Sequence, residues 1–555
     1  MSLRRNKSFV FLTLLLAFML LAAACAQQGD DTGADVTDEG EPQQGGTMTY
    51  ISEQFTPHLM CDKADNNLAW CAYPMRAVLL GAYEVQPDFS YVPDLLAQEV
   101  EIDEGPPFTG TWTLKEEAQW SDGTPITSRD LEFTWETYTN PDNDVISREG
   151  YDQIESAEIV DEKTITFTFK DTYVPYRDLF DYVYPAHVLE DENWNNVWRR
   201  CVCNPDNGEP IASGPFVWSE FRPNQSFTLT ANENWWGEEG PYLDEIFSPY
   251  VAETQTEIQQ LRGGEVDMIY PSPQPELRAL ANIQGIVNEV GAGPSWQHLD
   301  FQFDHPLLGE LWMRQAIAHA IDRQAIVDQL IIPIYPEGSV LNNNIYVSNQ
   351  EEYEPHFDIY EYDPDRARQL MEDNGCTEGN DGIYVCNGER ASFSYLSTAG
   401  NRLRELMFQI IQQNLQDAGI EVTNDFAEAD VVFGPRGLTG GNFELIQFAW
   451  VGSPDPSGGN SIWICEGAQN YNNYCNEEVT KLIESTDRLL DPAERTAAYN
   501  QADELMAQDL PVLPLWQYPQ PMAYDDAFHG FENNTTEWGP LWNAEQIWME
   551  QGAAN

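Results

Sequence analysis

Basic residues are scarce in this sequence. Against 92 Asp and Glu stand only 27 Lys and Arg, a formal net charge of −65. Binding to nucleic acid needs clustered Lys and Arg on one face, so nucleic acid is set aside as a partner. Histidine is sparse too: there are seven, and no CxxC occurs. That pattern disfavours a structural zinc site, and no metal or cofactor is expected. The catalytic signatures HExxH, GxSxG and GxxxxGK[ST] are absent, so an enzyme is not expected. Carboxylates are abundant enough to pair on paper anywhere, but spacing in sequence says nothing about separation in space. Long apolar runs are missing after Leu21, so no membrane-spanning helix is expected in the body of the chain.

What is present begins with an export signal. Arg4, Arg5 and Lys7 precede an apolar stretch from Phe9 to Leu21 broken only by Thr13. That is short for a membrane span and suits a signal peptide, 1–24. Residues Leu21-Ala22-Ala23-Ala24-Cys25 resemble a lipoprotein cleavage box, which makes Cys25 the expected lipidation site. The segment 25–44 is rich in Asp, Glu, Gly and Gln without apolar periodicity, and reads as an acidic disordered tether. Eight further cysteines remain. Three pairs share a separation of ten, Cys61-Cys71, Cys376-Cys386 and Cys465-Cys475. They read as short local disulfide loops in an oxidising compartment, each worth about 2–3 kcal/mol in the chain-entropy account. Cys201 and Cys203 pair with each other or with more distant partners. The acidic excess covers a solvated, self-repelling surface that salt would screen, which suggests a saline habitat.

With 555 residues, 42% hydrophobic and 12% aromatic, the chain can bury a large core in two or three domains. The stretch Gly110–Tyr138 shows how it is built. Trp112 and Leu114 alternate as a strand, Ser121-Asp122-Gly123-Thr124-Pro125 turns, and Thr127 caps a helix with Asp130 three residues on. Leu131, Thr134, Trp135 and Tyr138 then share one helical face. Val160–Lys170 reads as a hairpin with strict alternation through Ile165, Phe167 and Phe169. A second hairpin turns at Pro223-Asn224-Gln225. Glu257–Ile269 reads as a helix stopped by Gly263-Gly264 before a buried strand. Asp322 is placed to cap a helix over 323–330, and His319 reads as a packed core histidine. Leu403, Leu406, Met407, Ile410, Ile411 and Leu415 form a helical stripe ended by Gly419. Val479, Leu482, Ile483, Leu489 and Leu490 mark another helix, and Asp491-Pro492-x-Glu494 begins the next. Leu510–Trp516 reads as a strand.

Several of these blocks, in order, resemble family 5 solute-binding proteins, the extracytoplasmic peptide receptors of ATP-binding cassette importers. They are Trp120-Ser121-Asp122-Gly123 with Thr127 and Asp130; Ser213-Gly214-Pro215-Phe216 with Asn232–Gly237; Gly264-Glu265-Val266-Asp267; and Arg314-Gln315-Ala316 with Ala320-Ile321-Asp322. The resemblance runs from about Gly45 to Phe531. It implies an α/β fold of the two-lobe periplasmic-binding-protein type, class II and large, with an additional inserted domain. The expected division is lobe I at 45–78, 212–292 and 514–545, inserted domain II at 79–211, and lobe III at 293–513. It also implies a lipid-anchored, monomeric receptor outside the cytoplasmic membrane, periplasmic or at the cell surface. That receptor would close on a peptide about a hinge and deliver it to a membrane permease. A non-peptide solute such as an oligosaccharide is the alternative ligand.

Relatives line the cleft with residues matching Ser52–Phe55 and Phe443–Asp455, so Glu53, Gln54, Phe55, Gln447, Trp450, Gly452, Ser453 and Asp455 are candidate ligand residues. In relatives an aspartate three residues after the tryptophan pairs with the peptide ammonium, and some carry an arginine three before it. Here those positions are Ser453 and Gln447, which hydrogen-bond but cannot form the ion pair. Asp455 could take over the ammonium, Glu53 could accept an amine, Arg436 could receive a carboxylate, and Trp450 offers a flat apolar wall.

Overall fold

The computed structural model describes residues 41–66 and 68–550. The expected signal peptide, Cys25 and nearly all of the acidic tether lie outside the described residues. Among the described residues no helix is long and apolar enough to cross a membrane.

Three sheets carry the architecture. The first has four strands, in the order Thr47–Thr49, Glu245–Pro249, Ser226–Ala231, Phe216–Arg222. Its first pair is parallel and the others antiparallel. A second four-stranded antiparallel sheet lies between the first strand and the rest of that sheet in sequence: Glu101–Asp103, Thr109–Thr113, Thr164–Phe169, Ile154–Ile159. The helix Ser128–Thr139 packs on it. At the helix start the Asp130 carboxylate accepts from the Thr127 backbone N–H at 2.7 Å and its hydroxyl at 3.1 Å. The other Asp130 oxygen accepts the Ala186 N–H at 2.8 Å, so one acid both caps the helix and pins a neighbouring segment. Trp112, Phe167, Phe169 and Phe180 form the aromatic centre of this domain, all essentially water-free. Truncating such a ring costs about 3–5 kcal/mol.

The third sheet has six strands: Met268–Ile269, Val512–Asp525, Ile286–Phe301, Leu445–Val451, Ser392–Thr398, Glu421–Ala427. Helices 311–320, 323–330, 402–417 and 492–509 accompany it. Asp322 caps the second by accepting the Ala325 N–H at 2.8 Å, and Asp491 caps the fourth by accepting from Ala493 and Glu494, each contact worth about 1 kcal/mol. Gly264 ends helix 254–263 in the left-handed region at φ 67°, as the Gly-Gly signal implied. His319 departs from expectation. It is half-buried and its Nδ1 contacts the Glu361 carbonyl at 2.9 Å, because its face of the helix is covered by an irregular loop rather than by the sheet. The expected helix through Leu489 and Leu490 ends at Thr486, since Asp491-Pro492 already starts the next one and the intervening residues must extend.

Two large clusters make up most of the hydrophobic core, with three smaller ones beside them among the described residues. One large cluster joins the first sheet and the inserted sheet; the other fills the six-stranded sheet's lobe. Two long strands, Ile286–Phe301 and Val512–Asp525, run antiparallel between these regions. Their ladder is interrupted between Ala292 and Trp296. There Gly293 lies so close to the facing strand that a Cβ would sit 3.1 Å from the Tyr518 carbonyl. Gln517 Nε2 donates to the Gly293 carbonyl at 2.7 Å and Tyr518 Oη to Gln297 at 2.6 Å. A break in a strand ladder is where a sheet bends most cheaply, and a second register shift follows between Gln297 and His298. Away from it, inserted domain and second lobe touch directly: Val174 N–H donates to the Asp487 carbonyl at 2.9 Å, and Arg488 meets Asp171 at 3.2 Å. The structure pairs Cys61 with Cys71, Cys201 with Cys203, Cys376 with Cys386 and Cys465 with Cys475.

Candidate functional site

A cleft of about 360 Å³ opens at the interrupted ladder. One wall comes from the first lobe: Gln54, the rings of Trp70, Tyr73 and Tyr270, and Ser272. The opposite wall is Asn401, Arg404, Ala449 and Tyr518, and the floor includes Pro294 and Ser295 at the break in the ladder. The rings stack edge to face, Trp70 on Tyr73 at 5.7 Å and Tyr73 on Tyr270 at 5.5 Å, a geometry that fixes them as a rigid apolar surface.

Arg404 is the charged group of this cleft. It projects from the first turn of helix 402–417, which Asn401 caps by accepting the Arg404 N–H at 3.1 Å. Its Nη1 donates to Thr398 Oγ1 at 2.7 Å and the guanidinium hydrogen-bonds Tyr518, while Nε is buried without a partner among the described residues. No carboxylate lies within ion-pair distance of it among the described residues, although the chain holds 92 acids. A guanidinium on a cleft wall with no carboxylate partner is placed to receive one.

The residues expected from sequence scatter around this centre. Gln54 lines the cleft. Glu53, its neighbour, turns inward: it is 7% exposed, and accepts Ser272 N–H at 2.8 Å, Ser272 Oγ at 2.6 Å and Thr254 Oγ1 at 3.0 Å. It therefore braces the cleft rim through Ser272 and does not face the cavity. It also sits in hydrogen-bonding contact with Glu257, whose pKa is pushed up to about 9 by burial and by the Glu53 charge. Phe55 lies over Phe221, ring centres 6.0 Å apart, beside a separate small recess. Gln447 is fully buried in the sheet, where its carboxamide accepts from Tyr395 Oη at 3.1 Å; alternation puts it on the packed face, so it is a core residue.

Trp450, Gly452 and Ser453 border a recess of about 40 Å³ next to the cleft. Trp450 stacks on the buried His298 at 6.1 Å and its Nε1 has no acceptor among the described residues. The Gly452 N–H donates to the Pro294 carbonyl at 2.8 Å, and Ser453 Oγ donates to the Asp455 carbonyl at 2.5 Å. Asp455 is already paired. Arg495 grips it through both nitrogens, at 2.6 and 2.7 Å, with about an eighth of either side chain exposed. That bidentate pair leaves no carboxylate free for an ammonium. Arg436 is exposed on a loop outside the cleft lining. Among the described residues no group of three or more His, Cys, Asp or Glu is arranged to hold a metal ion.

Arg404, Tyr73, Tyr270 and Tyr518 were missed from sequence. One signal existed: Arg402 and Arg404 fall in a helical first turn, where the helix dipole disfavours cations. A cation there needs another reason.

Comparison with known proteins decides the family. The model for bacterial extracellular solute-binding proteins, family 5, matches residues 90–473. The chain belongs to family 5. Among curated members, the oligopeptide-binding protein OppA of Mycobacterium tuberculosis is 27% identical over 527 residues, covering 91% of this chain and 85% of that one. A periplasmic EDTA-binding protein, EppA, superposes with a TM-score of 0.84 at 23% identity, over 94% of this chain and all of that one. AppA of Bacillus subtilis, solved with a nonapeptide, gives 0.73 at 22% identity, over 92% and 100%. The two-lobe periplasmic-binding-protein fold is thus that of the chain, and family 5 members serve as substrate-binding proteins of transporters. The structural likenesses speak to fold alone.

Proposed function

We propose that the chain captures peptides in the cleft between its lobes outside the cytoplasmic membrane and hands them to the permease of an ATP-binding cassette importer. The ligand's carboxylate docks on Arg404, and its side chains lie on the Trp70–Tyr73–Tyr270 wall. The unpaired guanidinium carries this reading: in a chain so rich in acid, a cation without a carboxylate awaits one from the ligand. The ammonium meets neutral acceptors such as Gln54 and Gln274, because Asp455 belongs to Arg495 and Glu53 to Ser272. Each lobe supplies half the site, so ligand favours the closed form by its differential affinity. The hinge is the break at Gly293–Ser295 facing Tyr518. Lobe boundaries near 79, 212 and 293, oxidised cysteine pairs, a lipid on Cys25 and a monomeric state belong to the same proposal.

The test is mass spectrometry of ligand released from purified protein by mild denaturation, followed by calorimetry. A ladder of short peptides, with binding lost in Arg404→Ala, supports it. A single sugar, or no peptide binding across a broad panel, overturns it. A second reading, a polycarboxylate metal chelate, rests on the same guanidinium, and thermal-shift titration with EDTA complexes beside peptides separates the two.

A further inference from the structure

A second cavity, about 410 Å³, lies between the inserted domain and the second lobe. Its walls come from both sides. The inserted domain gives Phe89, Tyr91 and Tyr176; the second lobe gives Tyr346, Pro454 and Leu490. The contact is reciprocal, since Phe89 packs into the second lobe's core while Leu490 packs against the other core. The cavity is therefore a feature of the two domains held together, not a surface groove of either.

Its charges do not balance. Two arginines line it, and both are matched: Arg495 by Asp455, and Arg177 by Glu99 at 2.9 Å. Two further carboxylates, Glu104 and Glu352, line it with no cation within ion-pair distance among the described residues. Aromatic faces with surplus carboxylates recognise a cation attached to an aliphatic stem, by cation–π contact and ion pairing together.

One segment connects this cavity to the cleft. Ala449 lines the cleft, Trp450 to Ser453 the small recess, and Pro454 to Pro456 the second cavity. Five residue steps separate Ala449 from Pro454, at most ~18 Å of extended chain. An extended peptide of about six residues covers the same distance.

We propose that this cavity is a second ligand subsite, which receives a basic side chain of a peptide anchored at Arg404. The proposal rests on the peptide reading above and narrows it to peptides of about five to seven residues carrying a distal Lys or Arg.

The test uses calorimetry on the full protein with tri-alanine, hepta-alanine and a lysine scan of the heptapeptide, against wild type and the double variant Glu104→Gln, Glu352→Gln. Both positions are exposed, so the variant is expected to fold, and unchanged tri-alanine binding checks it. In wild type one register of the scan binds about fivefold tighter than hepta-alanine, the size of two solvent-screened ion pairs, and the double variant loses that gain. A flat scan, or a gain that persists in the variant, overturns the subsite while leaving the peptide reading intact. No binding of any peptide overturns both.

Discussion

Replacing Glu257 by Gln is expected to make the protein more stable than wild type by an amount that grows with pH. Glu257 is fully buried on helix 254–263, and neither oxygen receives a hydrogen bond from a donor among the described residues. Its neighbours are Glu53 and Tyr50, whose own hydroxyl is buried without a partner among the described residues. Burial, and then the Glu53 charge, push its pKa from the ordinary 4.5 up to about 9. The group is therefore a protonated acid at neutral pH, donating to Glu53.

The sign follows from linkage. Between those two values the folded chain holds a proton that the unfolded chain has released, so stability falls as pH rises, by about 1.4 kcal/mol per unit. The contribution is complete below 4.5 and is lost as pH climbs through about 9. From pH 5 to pH 7 that amounts to about 3 kcal/mol. Gln keeps a donor toward Glu53 and has no proton to lose. Urea midpoints for both proteins, taken at several pH values between 5 and 8.5, give the difference directly. Other raised acids, such as Glu537 at about 7 and Asp62 at about 6, contribute to both profiles and cancel. A difference that stays flat from pH 5 to 8 would refute the shared-proton pair. Because Glu53 holds Ser272 at the cleft rim, ligand affinity of the variant should remain within about twofold of wild type if the brace is intact.

Arg404→Ala should weaken peptide binding about 100-fold by calorimetry, with Arg404→Lys restoring part of it, since a point charge replaces a fork; equal affinities would remove Arg404 from the site. Asp455→Ala strands the largely buried Arg495 guanidinium and should cost about 3 kcal/mol in urea unfolding, whereas a loss confined to ligand affinity would return Asp455 to the ammonium role. With a net charge of −65, thermal midpoint should rise as salt is added from low ionic strength and then level off once repulsion is screened; a midpoint indifferent to salt would argue against the saline habitat.

What could be read from sequence were features whose causes lie close together along the chain. The Trp112 strand, the Thr127–Asp130 cap and the Gly264 stop each depend on residues a few positions apart. The site depends on distant ones. Whether Asp455 is free is decided by Arg495, forty positions on, and whether Glu53 faces the cleft is decided by Ser272 and Glu257. Leu489 and Leu490 looked like one more helical turn, because periodicity alone does not register that the following Asp-Pro already begins another helix.

The same imbalance that made the acids hard to interpret makes the cations informative. With more than three carboxylates for every basic residue, a given Asp or Glu carries little information, since a solvated surface role is open to nearly all of them. A basic residue in such a chain has a surplus of partners. Arg76, Arg129, Arg177 and Arg495 each take one or more, and Arg314 and Arg323 are spent on buried backbone carbonyls. Exposed cations such as Arg199, Arg200, Arg262 and Arg278 also lack an ion pair among the described residues, but Arg404 lacks one on a cleft wall, with a buried Nε that has no partner there. In an acid-rich receptor the sharper search is therefore for the cation that the fold has kept away from every carboxylate, because holding it unpaired costs stability unless a ligand completes it.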